Sequence, residues 1–299
     1  MNFRTLALNI RQFCPQLSIP VIKQRINIRY RQILAAEKWE FLNESTVVRL
    51  RKIYAPASTV ATIAVNPAQV TVTGTGTTMA TENVGWNFRV NSEPQPYVIA
   101  SVNSATEFLL EANYAGTTVT AGTFELFKSV YSPVVGDVAE ITSIVYQDEL
   151  DEISLSELNR LDPERSSTGE PQKWCNISKT TAAGGIASFE IWPVSDDDYA
   201  VTVNYKKKIS DLSLDTDAPV FRPELLEAGA LWDCYRQLYS STQNPAFVGL
   251  ARDARADYHA LLRDMILEDL QTASLPSKVR VETQYRTVDD NFRLSHDVD

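Results

Sequence analysis

The chain has 299 residues, 44% of them hydrophobic and 22% charged, and a formal net charge of -10 at pH 7. That length and balance suit one or two globular domains and exclude wholesale disorder. No apolar run approaches the roughly 18 residues that crossing a bilayer takes, which argues against a membrane partner.

Charge is unevenly placed. Residues 1–52 hold ten Lys and Arg against three acids, a net of +7, which leaves -17 for residues 53–299. A basic head on an acidic body offers a face for DNA or for an acidic partner, or simply a solvated helix face. The opening "MNFRTLALNIRQFCPQL" is too polar for a secretory signal peptide. Cys14, Cys175 and Cys234 are odd in number and far apart in sequence, which argues for buried free thiols in a reducing compartment. The sequon at Asn176 is then accidental.

In chain order, "TLALNIRQFC" predicts a short amphipathic helix closed by Pro15. Ser18 stands as N-cap and Pro20 in the first turn of a long helix expected to run to "WEFL" at 39–42. Ile22, Ile26, Tyr30, Ile33, Leu34 and Phe41 give its apolar stripe, with Glu37 the exception, and Lys23, Arg31 and Lys38 fall away from it. Residues 45–53, "STVVRLRKI", switch to the period of two that marks a strand.

From 56 to 130 six short strand patterns recur between turn residues, predicting a small sandwich or barrel. "GTGTT" at 74–78 lacks the Lys and the following helix of a phosphate loop, so it reads as a hairpin turn. Residues 131–222 mix strands with one short helix, "SLSELNRLD", capped by Ser154 or Ser156. Pro223 opens a helix, and Asn244 with Pro245 opens a second, predicting an antiparallel pair that Pro276 stops. The last residues are polar and alternating, too poor in apolar content to fold alone, and read as an arm that orders on something else. The divisions are 1–53, 54–131, 132–222, 223–275 and 276–299. The expected fold class is α+β: a helical body of a long N-terminal helix and a C-terminal antiparallel helix pair, an inserted β-sandwich or small β-barrel, and an extended C-terminal arm.

The sequence gives a catalytic reading little to hold, and the expectation is a protein that is no enzyme and takes no cofactor. His259 and His296 have no Cys or His at metal-ligand spacing. Asp196, Asp197 and Asp198 lack the alternating ligands of a calcium loop and read as an exposed turn. Glu149, Asp151 and Glu152 are paired carboxylates only in the sense that many acidic loops are. Trp86, Phe88 and Tyr97 either fill the sandwich core or stack on sugar rings.

The order of parts resembles the head-to-tail adaptor, or connector, proteins of tailed bacteriophages, especially short-tailed ones. "ILAAEKWEFL" is similar to the end of that family's long helix, and residues 70–131 to the strand insertion of some members. "IWPVSDDDYAVTVNYKKK" with the following "PELLEAGALWDCYRQL" resembles its strand pair and helix, and "ARDARADYHALLRDMILED" its last helix. Tyr131, Pro133 and Asp137 keep the family's junction residues at altered spacing. The resemblance implies a virion protein of the phage neck, made in the host cytoplasm. It implies a homo-oligomeric ring, typically of twelve copies, between the portal protein and the tail, nozzle or tail-tube protein. Genomic DNA would pass through its channel without sequence-specific contact. On this reading Val279, Val281, Tyr285, Phe292 and Leu294 would carry a portal-contacting arm, and Lys23, Arg31 and Lys38 an inter-subunit helix face. The alternative is an outer-surface module that binds glycan or decorates the capsid.

Overall fold

The computed structural model describes residues 1–57, 59–91, 93–178 and 187–272. The chain divides into two compact units, one of residues 1–40 with the chain from 211 onward, the other of residues 41–210.

The first unit is helical. Helix α1 spans Phe3–Phe13, α2 Ile19–Ala36, α4 Pro223–Thr242 and α5 Ala246–Thr272, while α3 (Leu155–Leu161) belongs to the other unit. Asn2 Oδ1 accepts the Thr5 N–H at 2.8 Å and so satisfies one of the donors that a helix start leaves open. Ser18 occupies the N-cap of α2 but its side chain makes no capping bond. Between α4 and α5 the chain turns at Gln243, whose φ of 54° is left-handed. Asn244 Oδ1 then accepts the Ala246 N–H at 3.0 Å. Tyr235 faces Phe247 and Trp232 faces Tyr258, so the two helices run antiparallel. Leu6 and Ile10 of α1, Ile22 and Ile26 of α2, and Leu226 and Ala230 of α4 are fully buried in this unit's core.

At the centre of these helices lies Arg29, only 7% exposed. Its guanidinium sits 4.6 Å from the Trp232 ring and 4.9 Å from the Tyr258 ring. Its Nε donates to Asp233 Oδ2 at 3.1 Å. A buried cation is tolerated where it is paired and stacked in this way. The room for its stem comes from Gly229, where an added Cβ would lie 2.6 Å from Arg29 Cγ.

The second unit holds every strand among the described residues. Strand β1 (Asn43–Leu50) is followed by β2 (Thr62–Val65), β3 (Thr71–Thr75), β4 (Asn87–Val90), β5 (Tyr97–Ser104), β6 (Glu107–Leu110), β7 (Val119–Gly122) and β8 (Phe124–Phe127). Strands β2–β8 form one sheet in the order β7-β2-β3-β6-β5-β4-β8. Its two outermost strands, β7 and β8, are separated in sequence by Thr123 alone, so the sheet curls round on itself. Phe88, Phe108, Phe124, Val72 and Ile99 fill its interior with no exposure, and Phe88 meets Phe108 edge to face at 5.2 Å.

Beyond it come β9 (Val130–Tyr131), β10 (Val138–Val145), β11 (Asp151–Glu152), β12 (Thr168–Gly169), β13 (Lys173–Ser178), β14 (Ser188–Trp192), β15 (Val194–Ser195) and β16 (Tyr199–Lys207). They complete a sheet in the order β1-β16-β10, a second in the order β11-β13-β14-β9, and the short pair β12-β15. Trp174, Phe189, Val201 and Val203 anchor the core they share.

The expected helical body with a long N-terminal helix is corrected by this architecture. The chain is mixed, with five α-helices and sixteen strands among the described residues, and its larger unit is built on sheets. Helix α2 stops at Ala36 and Glu37 is extended, with φ -142° and ψ 167°. Trp39 folds back and its Nε1–H donates to the Ile33 carbonyl at 2.9 Å. That bond satisfies one of the open carbonyls of the helix end, and the indole is buried at 1% exposure. "EFL" is a single 3-10 turn leading into β1. The apolar stripe continues to Phe41 in sequence, but the helix does not.

Candidate functional site

The residues that the sequence singles out do not gather at one place. Lys23 pairs with Asp215, and Arg31 Nε lies 3.3 Å from Asp211 Oδ1, so these two basic side chains of α2 meet acids of their own chain. Lys38 is exposed and lies past the end of α2, off the helix face expected to carry it. Val279, Val281, Tyr285, Phe292 and Leu294 lie outside the described residues. Phe88 and Tyr97 are core residues of the curled sheet, and only Trp86 of that aromatic trio is half-exposed.

Groups with chemical potential are held structurally. Cys14, just past α1, and Cys234 of α4 are both buried free thiols, and the side-chain hydrogen bond from Cys14, with burial second, pushes the Cys234 thiol up. Burial also raises the Cys175 thiol. His259 lies against the rings of Trp232 and Tyr258, with its Nε2 accepting from Arg255 Nε at 3.4 Å. Among the described residues no three His, Cys, Asp or Glu side chains converge as a metal ion would require. Among the described residues no helix is long and apolar enough to cross a membrane.

Clefts open in both units. In the helical unit Phe13, Glu224, Glu227, Leu231 and Asp257 line an open hollow of about 480 Å³. Burial pushes the Glu227 carboxyl up. In the sheet unit a cleft of about 330 Å³ is walled by Arg49, Arg51, Lys52 and Lys128, with Trp86 beside them. Glu82 and Asp198 are the acids of that wall.

The second cleft is assembled by backbone topology. Arg49 and Arg51 stand two residues apart at the end of β1, which brings both to one face of an extended segment. The Arg51 N–H donates to Tyr131 Oη at 3.0 Å, and the Tyr131 hydroxyl donates to the Lys128 carbonyl at 2.8 Å. Tyr131 therefore ties the Arg51 and Lys128 backbones together at β9. Burial lowers the Lys128 pKa, and the charge of Arg51 adds to that. Arg51 reaches Asp198 only at 4.0 Å and Lys52 reaches Asp197 only at 3.9 Å. Arg49 and Lys128 have no ion-pair partner among the described residues. The sequence signal was the alternation "RLRK" at 49–52, legible as a strand but counted only as part of a basic segment.

Residues 98–282 match the sequence model of a family of adaptor proteins. The class is that of a phage adaptor, a structural component of the virion. More than half of the chain is covered, and the chain belongs to the family described, the SU10 adaptor protein family. A comparison with curated proteins finds no match. The matched span takes in Lys128 and Asp198 of the basic cleft and leaves out Arg49, Arg51, Lys52 and Trp86.

Proposed function

We propose that copies of this chain close into a ring between the portal and the tail, around the channel through which genomic DNA passes. The observation that carries this reading is membership of the adaptor family over residues 98–282. Ring closure needs a heterologous contact, one patch of each copy meeting a different patch of the next, with a rotation that divides the circle. A chain of net charge -10 suits a channel, because cationic walls would hold the phosphates that must slide past. The C-terminal arm from residue 276 engages the portal, and the protein acts by holding its neighbours rather than by turning over a substrate.

Native mass spectrometry with and without portal tests this. The expected result is a monomer or weak associate alone and a ring when portal is supplied, with a chain ending at residue 276 failing to join. A stable dimer that ignores portal and binds glycan would overturn the reading.

A further inference from the structure

We propose that the basic cleft beside β9 is a carboxylate-binding site whose occupant is the acidic loop 148–152 of a second copy of this chain. The inference rests on the ring reading above and names the contact that builds it.

Three observations carry it. The first is the cleft itself, where four cations converge against two carboxylates. Two of the four, Arg49 and Lys128, have no ion pair among the described residues, and the pairs of Arg51 and Lys52 are stretched to 4.0 Å and 3.9 Å. Like charges held together are costly unless an anion enters, and guanidinium groups bind carboxylates in a two-pronged geometry.

The second is the loop. Asp148, Glu149, Asp151 and Glu152 are all exposed and make no ion pair among the described residues. The loop is nevertheless fixed. The Leu150 N–H donates to the Ile144 carbonyl at 2.8 Å, and the Leu150 side chain is buried. Asp151 and Glu152 form β11, paired in parallel with Lys173 and Trp174. An ordered loop loses little conformational freedom when it docks.

The third is placement. In the four-stranded sheet β11-β13-β14-β9, the acidic strand β11 is one edge and β9, which follows Lys128, is the other. Lys128 beside one edge and the acids of β11 at the other make no ion pair among the described residues of a copy, and Arg49, Arg51 and Lys52 join Lys128 in the cleft from the end of β1 in the three-stranded sheet. Cleft and acids can pair between copies arranged head to tail, which is the heterologous contact that a ring requires.

Two charge-reversed proteins test the contact in the full chain, in about 0.1 M salt with portal supplied. One carries Arg49→Glu with Lys52→Glu in the cleft, and the other Asp151→Lys with Glu152→Lys in the loop, all at exposed positions. Each alone should lose the ring in native mass spectrometry, with association weakened by about tenfold or more. A one-to-one mixture should restore rings of even copy number, because every reversed cleft then meets a reversed loop and every native cleft a native loop. If the wild type forms rings and both variants do too, the contact is wrong and the ring stands. Variants that fail alone and stay apart when mixed also overturn the contact. A wild type that forms no ring with portal overturns the ring reading and the contact together. Duplex DNA bound by the wild type and lost in the cleft variant, with rings unchanged, would assign the cleft to nucleic acid instead.

Discussion

Asp162 shows how one buried carboxylate can stitch a loop. It is 4% exposed and accepts the backbone N–H groups of Ser166 and Ser167, each at 2.9 Å, and the Trp192 indole N–H at 3.2 Å. Beside it Arg165, at a left-handed φ of 53°, forks onto the buried Glu190 at 2.7 and 3.2 Å. Burial alone would raise the Asp162 pKa, but the hydrogen bonds to its charged form win and hold it below 3.8. The sign follows from linkage. A carboxyl with a depressed folded pKa adds stability that is complete above its unfolded value and is lost as pH falls through the folded one. Asp162→Ala should therefore cost about 2–3 kcal/mol at pH 7, since bonds to a charged group are removed and buried donors are left open. Urea unfolding of the two proteins should show that gap narrowing below about pH 4. A gap that stays constant down to pH 3 would mean that packing, and not the charge, is what Asp162 supplies.

At the scale of elements, the helical unit depends on how closely α2 approaches α4. Gly229 to Ala gains up to about 1 kcal/mol of helix propensity but places a methyl against the Arg29 stem, where overpacking costs about 1–3 kcal/mol. The steric side wins, because Asp233 and the rings of Trp232 and Tyr258 hold the Arg29 head and the stem cannot swing away. Gly249 of α5 has nothing within 4 Å of an added Cβ, so Gly249→Ala keeps the propensity gain. Thermal unfolding should show the first substitution lowering the midpoint and the second raising it; equal shifts would remove the close contact from the account. Neither effect can be read from sequence, because Arg29 and Trp232 are two hundred residues apart and the apolar stripe of α2 gives no place to a buried cation. Local pattern revealed more elsewhere. The alternation of "TIAV", "TVTGT", "NFRV" and "FELF" marks β2, β3, β4 and β8, where every second side chain enters one core. Two-residue strands such as β9 and β11 leave no periodicity to detect, and they are the edges that position the proposed contact. The end of α2 was hidden for a different reason: Phe41 stays in phase with the stripe, and only the fold-back of Trp39 onto Ile33 breaks it.

The whole molecule sets two electrostatic effects against each other in any assembly of identical copies. Each copy carries -10, so neighbours repel at long range, while the proposed cleft and loop attract at contact. Their ranges differ, and salt separates them. The screening length is about 30 Å at 0.01 M, 10 Å at 0.1 M and 3 Å at 1 M. Going from the first to the second removes most of the repulsion between whole bodies, yet leaves charges about 4 Å apart inside the screening length. Going on to the third weakens those contacts as well. Ring formation should therefore rise and then fall with salt, with its maximum near 0.1 M, when followed by sedimentation velocity at fixed protein and portal concentration. The cleft-reversed protein should form no ring at any of these salt concentrations, since the attraction that holds the copies together is already gone. A monotonic rise in the wild type would mean that apolar surface holds the copies together; a monotonic fall would mean that the net charge of each copy is of no consequence to its neighbours.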